Sequence, residues 1–544
     1  MSTGHTQMGT FARMARTFFI PQRHHLKFTA FSKVKIVQRT VKKSIYKHHS
    51  FFLKPKRVKI YIGKTAKLKI VSLNKGVFSM QEKIFLYYTS DIHSHFENWP
   101  KIASFFNDKK IQHNRENQDF FLFDNGDHID RVHPNSEALL GKGNVTLLNE
   151  AGYDMVTLGN NEGITLNHNE LYHLYDDADF SVICANLHSK DGDDPDWLQA
   201  TTYTSTNSGI TIGVIGLTAP FQAFYNPLEW NVEDPFAILD REVERLNKQA
   251  DIIVLLSHLG ITEDQQIAER YPMIDVIIGG HTHHLFRDGE VVNQSILTAA
   301  GKFGYYVGEV VLTWDHSLHQ LVKKEAYATP IDHVLPHEET TRIIKEQTER
   351  SATLLKQTIA TLEKPLEVDW FKRTIIMKQL TETLREWTNA DIAMLNAGIL
   401  LESLPQGTVT YADVHRICPH PINPCVVTLT GQELVEVIRG SLTNNFTELE
   451  MKGFGFRGKV IGRMVFAGVE LETTINQDGS EHMKEVTFQG EALDVDQTYR
   501  LATADMFTFG QLSPPIARSN TKEFFMPEFM RDLLIRTLVS HYKK

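Results

Sequence analysis

A two-domain, layered α/β protein is what this sequence predicts, and three observations predict it. From Ile84 onward, short apolar runs alternate with amphipathic stretches, the pattern of strands covered by helices. A chain of 544 residues with 42% apolar and 10% aromatic residues can bury more than one core. A polar stretch, residues 336–364, separates two such blocks. The boundaries that follow are a basic extension over 1–79, a first domain over 80–335, a linker helix over 336–364 and a second domain over 365–544. The linker helix would carry its apolar positions at Ile343, Ile344, Leu354, Leu355 and Ile359.

The extension is set apart by charge. Residues 1–79 hold 18 Lys and Arg and no Asp or Glu, leaving 39 basic against 66 acidic residues in the rest of a chain whose net charge is -9. An acidic body repels polyanions, so no nucleic-acid partner is expected. No apolar run is long enough to span a bilayer, and no membrane partner is expected either. A basic arm for nucleic acid or an anionic membrane is one reading of residues 1–79. The abrupt compositional break favours another, in which the segment is disordered or precedes a natural start at Met80. Only three cysteines, Cys184, Cys418 and Cys425, argue against a disulfide framework, and the opening apolar stretches are too short for a signal peptide. A cytoplasmic location is the expectation.

In the first domain the strands are predicted at residues 84–89, 120–123, 154–158, 180–184, 210–215, 252–256 and 276–278. Helices are expected at 135–151 and 235–249, the latter opened by Pro235, whose fixed φ suits a first turn. The second domain should begin with a helix over 371–387, followed by strands at 393–395 and 426–429, a helix at 431–442, and strands at 465–471 and 499–503.

Five polar clusters fall at or just beyond predicted strand ends, where open α/β sheets place their ligands. They are Asp91-Ile92-His93, Gly126-Asp127, Gly159-Asn160-Asn161-Glu162, Ser257-His258 and Gly279-Gly280-His281-Thr282-His283. Imidazole nitrogen with carboxylate and carbonyl oxygen is the donor set of divalent transition metals, and a carboxylate can join two ions. Each cluster alone reads as a capped turn or a hydrogen-bonded histidine; their joint occurrence points to metal. The glycine pair Gly279-Gly280 would let the backbone turn sharply to present His281 and His283. His24, His48 and His113 lie outside any such cluster. Cys418 and Cys425 flank His420, but their spacing and the prolines between them suit a rigid loop rather than a zinc module.

In this order the clusters resemble the calcineurin-like metallophosphoesterases, and among them the two-domain bacterial 5'-nucleotidase and 2',3'-cyclic phosphodiesterase family. The resemblance covers residues 84–312 and implies a four-layer α/β/β/α sandwich joined to a C-terminal α/β substrate domain of the 5'-nucleotidase type. It further implies two divalent ions, typically Mn, Zn, Fe or Co. Carried over residue by residue, Asp91, His93 and His283 would hold one ion and Asn160, His258 and His281 the other, with Asp127 bridging. The implied reaction is hydrolysis of phosphate esters, most often nucleotides, by attack of a metal-bridging hydroxide. Phosphodiester hydrolysis and a nucleotide-binding regulatory role with little turnover are the alternatives.

The chain also departs from the family. Where the family has a histidine followed by an aspartate to contact phosphate and assist the leaving group, this sequence has Asn161 and Ile164. Asn161 can donate a hydrogen bond to a phosphoryl oxygen but cannot carry a proton. His95, His128 and His284 are close enough in sequence to be considered as substitutes. In the second domain, residues 391–398 match the family's D-x-A-x-x-N-x-G stretch, yet its phosphate-gripping arginine is replaced by Leu400 and Leu401. His420 stands where an aromatic follows proline, and residues 505–511 replace an N-F-x-x-G-G-D-G loop. The candidate substrate contacts are therefore Asn161, Asn396, Phe507 and Phe509, with Asn161 and Asp127 as the candidate catalytic pair.

Overall fold

A computed structural model describes residues 81–477, 481–510 and 512–543. The basic extension and the expected start at Met80 lie outside the described residues.

The first domain is built on two sheets. One runs in spatial order through Gln320–Pro330, Tyr306–Asp315, Gln81–Thr89, Asp119–Asp124, Met155–Val156, Ser181–Ile183 and Leu198–Gln199. Its strands are parallel from Gln81–Thr89 onward and antiparallel on the other side. The other sheet has a parallel centre, Thr211–Thr218, Ile252–His258, Val276–Gly279 and Ser295–Thr298, with an antiparallel strand at each edge. Side chains alternate across a strand, and the alternation makes the layers. Ile84, Leu86 and Tyr88 point inward against Ile212, Val214, Val254 and Leu256 of the second sheet. Phe85 and Tyr87 point outward, with Trp99, Ile102 and Phe106 of the helix Trp99–Glu116. On the far side Ile253 and Leu255 meet Ile238, Leu239 and Val243 of the helix Pro235–Asn247. Asp234 caps that helix by accepting from the Ala237 N–H at 2.9 Å. The result is the four layers expected, with each large apolar side chain contributing about 1.5–3 kcal/mol of burial.

The second domain centres on a five-stranded sheet ordered Met464–Ala467, Ile392–Asn396, Thr498–Ala504, Pro424–Thr430 and Lys522–Phe524. The helices Ile375–Trp387, Gly431–Ser441 and Met530–Tyr542 pack on its core. All seven strands predicted in the first domain are present.

Three expectations need correction. The helix predicted over 135–151 is two helices, Pro134–Leu139 and Lys142–Ala151, because Leu140 and Gly141 both take left-handed φ, 50° and 77°. The stretch 465–471 is likewise two strands in different sheets. They part at Gly468, whose φ is 81° and where a Cβ would lie 2.3 Å from the Asp391 carbonyl oxygen. Residues 336–364 form a helix only over Glu338–Leu354; Thr358–Leu362 is a strand paired with Gly407–Thr410, burying Ile359, Ala360 and Leu362. Nor does that helix stand clear as a tether, since Ile343 and Ile344 pack on the first domain's core and Thr340 donates to Glu150 at 2.8 Å.

Candidate functional site

Five loops at the C-terminal ends of strands meet where the two sheets converge. Asp91 and His93 follow Gln81–Thr89, Asp127 follows Asp119–Asp124, and Asn160 follows Met155–Val156. His258 ends the strand Ile252–His258, and His281 and His283 follow Val276–Gly279. Five of these seven residues hold left-handed backbone: Asp91 at φ 53°, His93 at 49°, Asp127 at 51°, His281 at 67° and His283 at 58°. Each costs about 1–3 kcal/mol for a residue with a Cβ, and such strain collects at functional sites. The glycine pair does not supply the turn, contrary to the sequence reading: Gly279 and Gly280 lie outside the left-handed region. They give space instead, since a Cβ would fall 2.4 Å from Asp264 Oδ2 at Gly279 and 2.7 Å from Ser90 Oγ at Gly280.

The side chains converge. His93 Nε2 and His283 Nε2 are 3.1 Å apart, and Asp91 Oδ1 is 3.4 Å from His283 Nε2. Asp127 turns one oxygen to each side, Oδ2 at 3.6 Å from His93 Nε2 and Oδ1 at 3.3 Å from His258 Nε2. His281 Nδ1 is 2.7 Å from Asn160 Oδ1, and its backbone N–H donates to Asp91 Oδ1 at 3.0 Å. Two groups have the closeness of a metal donor set, Asp91 with His93 and His283, and Asp91 with Asp127 and His258.

The donors fit divalent cations. His258 Nδ1 lies 2.7 Å from the Asn125 carbonyl oxygen, which fixes a proton on Nδ1 and leaves Nε2 as the atom a cation would meet. That Nε2 is buried without a hydrogen-bond partner, aimed at Asp127. Burial would lower the His258 pKa, but the Asp127 and Asp91 carboxylates raise it to about 10, so that Nε2 holds a proton that a bound cation would displace. Burial would raise that of Asp127, but His258 and His93 hold it below the ordinary carboxylate range. Burial brings His281 down to about 4 and His283 to about 3, leaving both neutral as a ligand must be.

Glu162 binds these loops together. It is buried, and its carboxylate accepts from the backbone N–H groups of Asp127 at 3.0 Å, Gly159 at 2.9 Å and Ile129 at 2.9 Å. The approach is so close that a Cβ on Gly159 would lie 2.1 Å from Asp127 Oδ1. The sequence displays Glu162 within the third cluster but gives no sign of this positioning role.

The centre opens into a cleft of about 510 Å³ between the domains. The first domain contributes His93, Asn161, Ile164, Phe221 and Phe224; the second contributes Phe454, Arg457, Asp505 and Phe509. Phe509 stacks on Phe454 with centroids 5.8 Å apart at 11°, and on Phe224 at 5.6 Å and 23°. Phe221 and Phe224 follow the strand Thr211–Thr218, a strand end like the others that sequence reasoning passed over. Phe454 and Arg457 come from a loop, Gly453 to Gly458, that matched no pattern.

The expected substrate residues divide. Phe509 lines the cleft; Phe507 is fully buried in the second domain's core. Asn396 is also fully buried, donating to the Ile461 carbonyl at 3.0 Å. Both are corrections: Asn396 is the last residue of the strand Ile392–Asn396, and Phe507 lies in the 3₁₀ segment Asp505–Thr508 that turns its ring into the core. Asn161 is at the cleft, but its Nδ2 already lies 2.9 Å from the Ile129 carbonyl and 3.1 Å from His93 Nδ1. The free donor expected of it is thus engaged within the protein. None of the three histidines considered as substitutes lines the cleft: His95 contacts Glu97 at 2.7 Å, His284 contacts Thr282 at 2.9 Å, and His128 is buried beside Trp99.

A family model for calcineurin-like phosphoesterases matches residues 86–285, and one for the C-terminal domain of 5'-nucleotidases matches residues 358–511. The chain is 44% identical over 456 residues to an uncharacterized metallophosphoesterase, YunD, of Bacillus subtilis, covering 84% of this chain and 99% of that protein. It is 24% identical over 479 residues to the trifunctional nucleotide phosphoesterase YfkN of the same organism, spanning 76% of this chain but only 31% of that one. Among solved structures, a putative 5'-nucleotidase from Staphylococcus aureus superposes with a TM-score of 0.61 at 21% identity, covering 85% of this chain and 97% of that one.

Proposed function

We infer, for a chain that belongs to the 5'-nucleotidase family of metallophosphoesterases, that it hydrolyses nucleotide phosphate esters at two divalent metal ions held by Asp91, His93, Asp127, Asn160, His258, His281 and His283. One observation carries the reading. Asp127 directs its two carboxylate oxygens to two separate sets of histidine donors, 3.6 Å from His93 and 3.3 Å from His258. That is the arrangement a bridging carboxylate needs, and a single-ion site has no use for it. When bound, such ions supply Lewis acidity that ionises water near neutral pH and offsets charge on the phosphoryl group.

The chain's own residues do the rest. Glu162 holds the Asp127 backbone, and the Asn125 carbonyl fixes the His258 tautomer, so the donors are preorganised. Phe221, Phe224, Phe454 and Phe509 give the cleft an apolar side, and the exposed ring of Phe454 offers a face on which a nucleobase stacks.

A second reading, hydrolysis of phosphodiesters, is favoured by Asn161 and Ile164. Neither carries a proton to a leaving group, which disadvantages esters whose leaving group needs one.

The test is a phosphate-release assay on the full chain with manganese, comparing a nucleoside monophosphate, a 2',3'-cyclic nucleotide and a bis-aryl phosphate, with and without chelator. Chelator-sensitive turnover fastest on the monophosphate is expected, and Asp127→Ala should reduce it by roughly 10³-fold or more while stripping metal. Faster turnover of the diesters would transfer the assignment to the second reading. Full activity of Asp127→Ala would refute both.

A further inference from the structure

We propose that Arg457, reaching across from the second domain, grips a non-bridging oxygen of the substrate phosphate, with Asp130 holding the guanidinium in position until the anion arrives. The proposal rests on the phosphoesterase reading and adds a substrate-binding residue to it.

A phosphate monoester brings up to two negative charges into this cleft, which Asp127 and Asp505 line. Some cation besides the metals must face its outer oxygens, because burying a phosphoryl oxygen without a charge-assisted donor is costly. Arg457 is the one Lys or Arg among the described residues lining the cleft. The side-chain amides lining the cleft are already engaged, Asn161 by Ile129 and His93, Asn160 by Asn161 and Asn423 by the Glu528 carbonyl.

Arg457 is placed for the task. Its Nη2 donates to Asp130 Oδ2 at 3.0 Å, and the same oxygen lies 3.5 Å from His93 Nδ1. The guanidinium therefore sits one side chain away from the metal-donor face of His93. One of its five N–H donors is spent on Asp130 and a second reaches the Phe456 carbonyl at 3.4 Å, while 33% of the side chain stays exposed. Its backbone is pinned as well. The Arg457 N–H donates to His420 Nδ1 at 2.9 Å, and His420 Nε2 lies 2.9 Å from the Ile399 carbonyl while its ring stacks on Phe456. A buried, neutral histidine thus serves as a strut under the loop.

The rival account is that Arg457 and Asp130 form an interdomain salt bridge and nothing more. Binding of inorganic phosphate to the manganese-loaded full chain, measured by calorimetry, separates the two. Arg457→Ala should weaken phosphate binding roughly 10- to 100-fold, the size of one charge-assisted hydrogen bond, with bound manganese unchanged. Arg457→Lys should retain part of the affinity, and added guanidinium should restore binding to Arg457→Ala but leave wild type unaffected. On activity, KM for an aryl monophosphate should rise more than KM for a bis-aryl phosphate, whose phosphorus carries one charge fewer. Unchanged phosphate affinity in Arg457→Ala, or a loss that guanidinium does not repair and Arg457→Lys shares in full, would overturn the proposal. Wild type that binds phosphate yet hydrolyses nothing would refute the enzymatic reading alone, and the binding comparison would still decide the role of Arg457.

Discussion

The two walls of the cleft are built by different rules. The first-domain wall is dense in polar donors, and five of its seven candidate metal-donor residues sit in strained left-handed backbone. Its loops are tied by hydrogen bonds from Asp91 N–H to the Gly126 carbonyl at 3.0 Å and from His93 N–H to the Asp127 carbonyl at 2.8 Å. The second-domain wall is apolar apart from Asn423, Arg457 and Asp505, and part of it is carried on a loop in which Gly453, Phe454 and Gly455 all have positive φ. On the proposed function, chemistry falls to the first wall and substrate choice to the second. Variants on the first wall should therefore affect turnover, and variants on the second should affect selection.

The largest effect that sharpens this contrast is expected at Glu162. Replacing it with glutamine keeps the size but substitutes an NH₂ for one of two oxygens that accept from Asp127, Gly159 and Ile129. At least one buried N–H would then face another donor. Since such supporting partners typically account for 10- to 100-fold in metal affinity or activity, Glu162→Gln should lower kcat by roughly that factor and weaken manganese binding, with KM little changed. Titration of metal-free protein together with steady-state kinetics would check it. An effect on KM alone would erase the distinction between the walls.

This contrast also explains what the sequence made legible. Asp91, His93, Asp127, His258 and His283 come together in groups close enough to hold a metal, with Asn160 against His281 beside them, because each follows or ends a strand at a short, fixed distance and is one of few residue types. The four layers were legible for the same reason: Ile84 to Tyr88 alternates with the pleat. The second wall obeys no such rule. Phe507 and Phe509 are two apart, and only the local turn, a short 3₁₀ segment over Asp505–Thr508, decides that Phe507 faces the core. Arg457 was invisible because its partners are distant in sequence: His420 meets it only when the second domain folds, and Asp130 only when the domains pack. The linker helix was overextended because Thr358–Leu362 is apolar at positions that suit either period, and pairing with Gly407–Thr410 settles it.

A smaller effect should appear in acid stability, and it tests whether the second wall depends on its strut. Burial pushes His420 down to about 3, and His128 in the first domain likewise to about 3. In the unfolded chain an imidazole takes up its proton near pH 6.5, so between about pH 6.5 and pH 3 the unfolded state binds more protons than the folded one. Stability is then full above this window and falls as pH drops through it, by roughly 2 kcal/mol for each histidine at pH 5. Thermal melts at pH 7 and pH 5 should show a fall in Tm that is smaller in His420→Phe, a variant that keeps a ring against Phe456. An equal fall in both would mean that His420 is not carried neutral in the folded state.

The smallest effect is expected at Phe454, where the second wall is most exposed. Its ring is 54% exposed and lies 5.8 Å from that of Phe509 at 11°. A base cannot slip between rings so close, since a third ring in van der Waals contact with both needs about 7 Å, twice the ~3.5 Å carbon contact. A nucleobase would instead stack on the open face of Phe454. Stacking of one base on an aromatic side chain is typically worth ~1–3 kcal/mol, and an exposed face should give the low end. Phe454→Ala is therefore expected to raise KM for a nucleoside monophosphate about 5- to 10-fold, to leave kcat unchanged, and to leave a small aryl phosphate nearly unaffected. A matching loss on both substrates would show that the ring shapes the metal centre rather than reading the base, and would move Phe454 from the selecting wall to the catalytic one.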